Sequence, residues 1–199
     1  GIITEGGAAT QLYPGGWIGS MTSFNGGMGY WLITSEVIEL TFDLSTLTRN
    51  INNVFLENEI LDQYKVHQST RQAFYFINNI IVGGQHITNN DWVLLYNNEK
   101  LIGTRKWNGE YTEIPAMGDD NRIGSRGYAI NGSDLKIRVL QAETGEIFHV
   151  YDEIPKWEDN GLFILDKLIA REIPIAYKLG TPYPNPFNPI ANITYDIPK

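Results

Sequence analysis

Runs of aromatic and β-branched residues, punctuated by glycine and asparagine, fill the middle of the chain. QAFYFINNIIV (72–82) reads as a long strand that ends in the turn GGQHITNND (83–91). WVLLYN (92–97) then alternates, with Trp92, Leu94 and Tyr96 on one face and Val93 and Leu95 on the other. A tight turn at Asn97–Lys100 leads into LIGTRKW (101–107), so these two runs predict a hairpin. NGEYTEIPAMGDDNRIGSRG (108–127) is polar and glycine-rich and reads as a long loop. LKIRVLQ (135–141) and IFHVYDEI (147–154) flank AETGE and predict a second hairpin. GLFILDKLIA (161–170) reads as a closing strand, with a short helix as the alternative. Residues 67–170 therefore predict one β-sandwich module, immunoglobulin-like or jelly-roll-like; irregular strand spacing and uneven hairpins favour a sandwich over a closed barrel.

The flanks are less regular. GWIGSMT (16–22), YWLITS (30–35) and VIELTFD (37–43) read as short strands between glycine turns. In the last of these Ile38, Leu40 and Phe42 alternate with Val37, Glu39 and Thr41. Three such strands make a marginal unit alone, so residues 1–43 read as the end of an upstream β domain. Residues 44–66 are polar and asparagine-rich, a connector with at most a helical turn. Residues 171–181 read as a linker before a proline-rich extension. The fold class predicted is all-β.

Composition agrees and narrows the function. The chain has 199 residues, 42% hydrophobic, with 20 glycines and 12% aromatics, enough for a packed core. The net charge of −8 and the absence of any Lys/Arg cluster argue against nucleic acid and anionic membrane surfaces. No apolar run reaches the length of a membrane span. Without cysteine there is no disulfide, thiolate metal site or cysteine nucleophile. No secretory signal opens the chain, which reads as an excerpt of something longer.

The extension GTPYPNPFNPIANITYDIPK (180–199) carries four prolines within eight residues, at Pro182, Pro184, Pro186 and Pro189. Each X-Pro unit biases its first residue to extended conformations, and proline donates nothing to a sheet ladder. IANITYDI then alternates Ile193, Tyr195 and Ile197 against Asn192, Thr194 and Asp196, as a first strand after a stiff lead-in. An ordinary proline-rich linker with a β tail has the same composition. The string itself resembles the opening of the type A C-terminal sorting domain of type IX secretion substrates. Leu179, Gly180, Tyr183, Pro184, Asn185, Pro186, Phe187, Asn188 and Pro189 match that opening, whereas Ile190 stands where threonine is usual. The resemblance covers about 20 residues and makes 182–199 a truncated start of such a domain. It implies export across an outer membrane, surface attachment or release, and the secretion machinery as partner.

A second, looser likeness covers 72–165. Asp91-Trp92-Val93, Gly103, Arg105, Trp107, Gly118-Asp119-Asp120 and Thr144-Gly145-Glu146 resemble a β-sandwich module repeated in large bacterial surface proteins with this tail. Leu94-Leu95-Tyr96 departs from that module's Gly-Ala-Phe. The likeness implies an accessory role without catalysis.

Candidate chemistry is sparse. Asp119, Asp120 and Asn121 gather oxygen ligands on one loop and are candidate Ca²⁺ ligands; without EF-hand spacing, a plain turn competes. His67, His86 and His149 are isolated and lack zinc-site spacing. Glu110, Glu113, Asp119 and Asp120 are the carboxylates from which a glycosidase pair could come, but 23 acidic residues make chance pairs common. No nucleophile elbow or phosphate loop occurs. Trp107, Tyr111 and Trp157 lie in loops and are candidate platforms for sugar rings; plugging the ends of a sandwich is the competing role. Asn131 and Asn192 open chance glycosylation sequons.

The function expected is a non-catalytic accessory or adhesion module of an exported, surface-associated bacterial protein, binding glycan or protein. Two alternatives stand beside it. One is a structural subunit of an extracellular filament or surface layer, self-associating through the strand at 190–198. The other is the accessory part of a secreted hydrolase.

Overall fold

The computed structural model describes residues 1–13, 15–41, 62–173, 178–186 and 189–198. It is an all-β sandwich. Strands β1 (Ile2–Thr4), β2 (Gly7–Gln11), β3 (Trp17–Gly19) and β4 (Trp31–Leu32) form a small antiparallel sheet in the order β3-β2-β1-β4. The main sheet contains β5 (Gln72–Val82), β6 (Gln85–His86), β7 (Trp92–Asn97), β8 (Lys100–Lys106), β9 (Thr112–Met117), β10 (Leu135–Leu140), β11 (Ile147–Val150) and β12 (Leu162–Arg171). Its order is β6-β5-β12-β11-β10-β7-β8, and β9 pairs with the start of β5. Both predicted hairpins are present, β7–β8 and β10–β11, the second turning at Gly145 with φ 73°. The closing strand is β12, which runs parallel to β5.

The main sheet curls into a half-barrel, bringing its ends together. β8 lies over β9 so closely that a Cβ on Gly103 would collide with the Pro115 carbonyl. Only glycine permits that approach of two backbones. The core between the two walls holds Tyr75, Ile77, Val93, Leu95, Ile114, Ile137 and Trp157.

β5 is buried on both faces. Tyr75 and Ile77 enter the core, while Phe74 and Phe76 point the other way and pack with Ile3 and Ala8 of the small sheet. Polar pins reinforce that junction. The Gln72 amide nitrogen donates to the Thr4 carbonyl at 3.0 Å, and Arg105 Nη2 donates to the Gly6 carbonyl at 2.7 Å. The small sheet therefore shares a hydrophobic cluster with the sandwich.

β9 corrects the expectation of an unbroken loop over 108–127. Pro115 and the charged Glu113 disguise a strand that pairs with β5 along one edge only, where proline is tolerated. VIELTFD forms no strand over its described residues 37–41, and Val37 is fully exposed; its last two residues, Phe42 and Asp43, and the connector over 44–61 lie outside the described residues. Asp62–Tyr64 form a single 3₁₀ turn, and Tyr64 packs on Trp92, Leu94 and Tyr96 at the outer face of β7. The tail forms a two-stranded hairpin of its own, β13 (Lys178–Leu179) with β14 (Tyr195–Asp196).

Candidate functional site

The small sheet and the β8–β9 turn wall a cleft of about 890 Å³. On the sandwich side, the turn is fixed by Thr112. Its hydroxyl accepts from the Asn108 N–H at 2.9 Å and donates to the Gly109 carbonyl at 2.7 Å. Gly109 (φ 94°) and Tyr111 (φ 58°) both take left-handed conformations, easy for glycine and costly for tyrosine. The half-buried Tyr111 lines the cleft from this turn. Trp107 also lines it but is 6% exposed, offering little more than an edge.

On the opposite wall, Trp17 stands at the start of β3 with 59% of its surface exposed. The loop after β3 is braced internally. The Tyr30 hydroxyl accepts from the Asn25 N–H at 2.6 Å, and Phe24 meets the Tyr30 ring edge-on at 4.8 Å between centroids. The Thr4 hydroxyl donates to the Gly29 carbonyl at 3.0 Å.

Glu113 sits deep in the cleft, and Arg105 holds it. Arg105 Nη2 reaches the Glu113 carboxylate at 3.1 Å, and Nε donates to the Glu113 carbonyl at 2.9 Å. Burial pushes the Glu113 carboxyl above its ordinary range; Arg105 and the Ser20 hydroxyl pull the other way without cancelling it. Since Ser20 and Gly6 belong to the small sheet's side, the Arg105–Glu113 pair is a strut between the two walls. Its geometry is structural before it is chemical.

No protein-family model, curated protein or solved structure matches this chain.

Trp157, the third aromatic candidate, is wholly buried and presents no ring face to solvent. Its indole N–H donates to the Ala116 carbonyl at 2.9 Å, and the Arg71 guanidinium lies 5.3 Å from the ring centre. It plugs the sandwich, remote in role from Tyr111.

In the acidic loop the carboxylates are occupied by the protein's own donors. Asp119 accepts from the Asn121 N–H at 2.8 Å. Asp120 accepts from the Ser125 hydroxyl at 2.5 Å and from the Arg122 and Thr70 N–H groups at 3.2 Å. Those bonds, Ser125 first, hold the Asp120 carboxyl well below the usual carboxylate range. Asn121 turns the chain with φ 66°. Among the described residues no three His, Asp or Glu side chains gather in a way that could hold a metal ion.

The histidines are dispersed. His86 Nδ1 lies 2.8 Å from Asn79 Oδ1, and the His67 backbone N–H donates to the Tyr128 hydroxyl. Of the sorting-motif residues, Tyr183, Pro184, Asn185, Pro186 and Pro189 are exposed, and Phe187 and Asn188 lie outside the described residues. Tyr183 pairs with Asn192 across the tail hairpin by two backbone bonds of 3.0 and 2.9 Å. Among the described residues no helix is long and apolar enough to cross a membrane.

Trp17, Tyr30 and the Arg105–Glu113 strut were not legible as a site. Trp17 and Tyr111 are 94 positions apart in the chain, and neither belongs to a spaced motif.

Proposed function

We propose that this chain is a non-catalytic binding module of an exported, surface-associated protein, and that its cleft takes a glycan. One observation carries the reading. Each wall contributes an aromatic ring that solvent can reach, Trp17 and Tyr111, with hydrogen-bonding side chains such as Ser23, Asn108 and Glu110 along the same cleft. Sugars present apolar C–H faces rimmed by hydroxyls, which suits that mixture. In this reading Glu113, the deeply buried carboxylate there, serves as a strut held by Arg105.

A glycan array followed by calorimetry on the hits tests it. Trp17→Ala and Tyr111→Ala should each weaken binding by about tenfold with the fold intact. Silence on the array, or hits indifferent to both substitutions, would refute the cleft as a glycan site. Export rests on the string Tyr183–Pro189. Scrambling it in the full-length protein, in a host with a type IX pathway, should retain the protein inside the cell envelope; unchanged export would remove that part.

A second reading, self-association into a surface assembly, is favoured by the tail hairpin. Leu179, Tyr183, Ile193, Tyr195 and Ile197 are all at least half exposed on it.

A further inference from the structure

We infer that the cleft selects neutral, β-linked glycan chains and rejects anionic ones, an inference that rests on the cleft being a glycan site. The charges of the lining decide it. Glu5, Glu110 and Glu113 line it together with Arg105 and Lys106. Arg105 is committed: Nε goes to the Glu113 carbonyl, and Nη2 to the Gly6 carbonyl and the Glu113 carboxylate. Uronates and sulfates are best held by an arginine that presents a free fork, and this fork is spent on the protein. Lys106 is then the remaining lining cation, outnumbered by Glu5 and Glu110 in the same lining. The net charge of −8 adds long-range repulsion of any polyanion.

Shape sets the rest. The volume of about 890 Å³ lies near the upper end of small-ligand sites, room for several sugar rings. Aromatic rings on two walls call for sugars with flat apolar faces, which equatorial substituents and β-linkage provide. Axial hydroxyls would break that face and leave polar groups against the rings.

The test measures calorimetric affinities of the whole chain for cello- and xylo-oligosaccharides and for β-linked oligoglucuronates of equal length, at low and high salt, with malto-oligosaccharides as the α-linked control that should bind weakly. Neutral chains should bind at least about tenfold tighter than uronates, with affinity nearly independent of salt. Glu110→Lys should raise uronate affinity by several-fold relative to that for neutral chains. Circular dichroism and a thermal melt confirm that each variant is folded. Uronates binding as tightly as neutral chains, through Trp17 and Tyr111, would overturn the charge selection while keeping the glycan site. Binding of neither class, with an empty glycan array, would take down both.

Discussion

The carboxyl of Glu113 lies between Arg105 and Ser20, and burial dominates its titration, raising it from the ordinary 4.5. Asp120 is displaced the other way from 3.8, held ionised first by the Ser125 hydroxyl. Their signs differ. In the folded state Glu113 binds its proton more readily than in the unfolded chain, so its contribution to stability is full below pH 4.5 and falls as pH rises through the folded value. Asp120 stabilises fully above pH 3.8 and loses that contribution as pH falls toward its depressed folded value. Denaturant midpoints across pH should therefore respond oppositely to two isosteric changes. Glu113→Gln should flatten the decline above pH 4.5, and Asp120→Asn should flatten the loss on the acid side. Identical pH profiles for wild type and both variants would show that neither carboxyl is coupled to folding. The aromatics separate just as clearly. Trp157→Ala removes a fully buried ring and its hydrogen bond to Ala116 and should cost roughly 3–5 kcal/mol in urea unfolding. Trp17→Ala removes a half-exposed ring and should stay within about 1 kcal/mol of wild type.

β5 binds the elements together, since its two faces serve two clusters. Deleting residues 1–33 would uncover Phe74 and Phe76 and abandon the pins from Gln72 and Arg105. The two phenylalanines alone predict a loss of roughly 3–6 kcal/mol, with new binding of a hydrophobic dye. An unchanged melting temperature and no dye binding would mean that the small sheet is energetically a separate unit. How far the elements were legible depends on the same burial. β5 and β7 fall at the bounds read from the sequence, because aromatic and β-branched runs ended by Gly83-Gly84 and Asn97-Asn98 leave little choice. β9 was hidden by Pro115 and Glu113, whose tolerance depends on an edge and on Arg105, neither visible locally. The parallel pairing of β5 with β12 joins residues far apart in sequence, and a strand's own pattern does not name its partner. Trp107, Tyr111 and Trp157 look alike as letters. Only tertiary packing sorts the buried plug from the residue in the cleft.

At the scale of the whole molecule the tail stands apart from the rest. Among the described residues β13 and β14 pair with each other and with no strand of the sandwich. A hairpin of two short strands is marginal alone, and its apolar side chains remain exposed. Ending the chain at Arg171 should therefore shift the melting temperature by no more than a few degrees. A drop of about 10 °C would instead make the tail an integral part of the sandwich. The same truncation should matter for association. Exposed hairpin edges and apolar side chains favour a second copy, while the net charge of −8 at neutral pH opposes it. That repulsion vanishes near the pI of 4.8. Sedimentation velocity over a concentration series should show a monomer at pH 7 and low concentration, with larger species growing as pH approaches 5. The version ending at Arg171 carries the same sandwich without the hairpin and should remain monomeric throughout. If it associates as readily as the full chain, contact lies elsewhere, with the exposed Trp31, Val37 and Ile38 of the small sheet's side as the next surface to test.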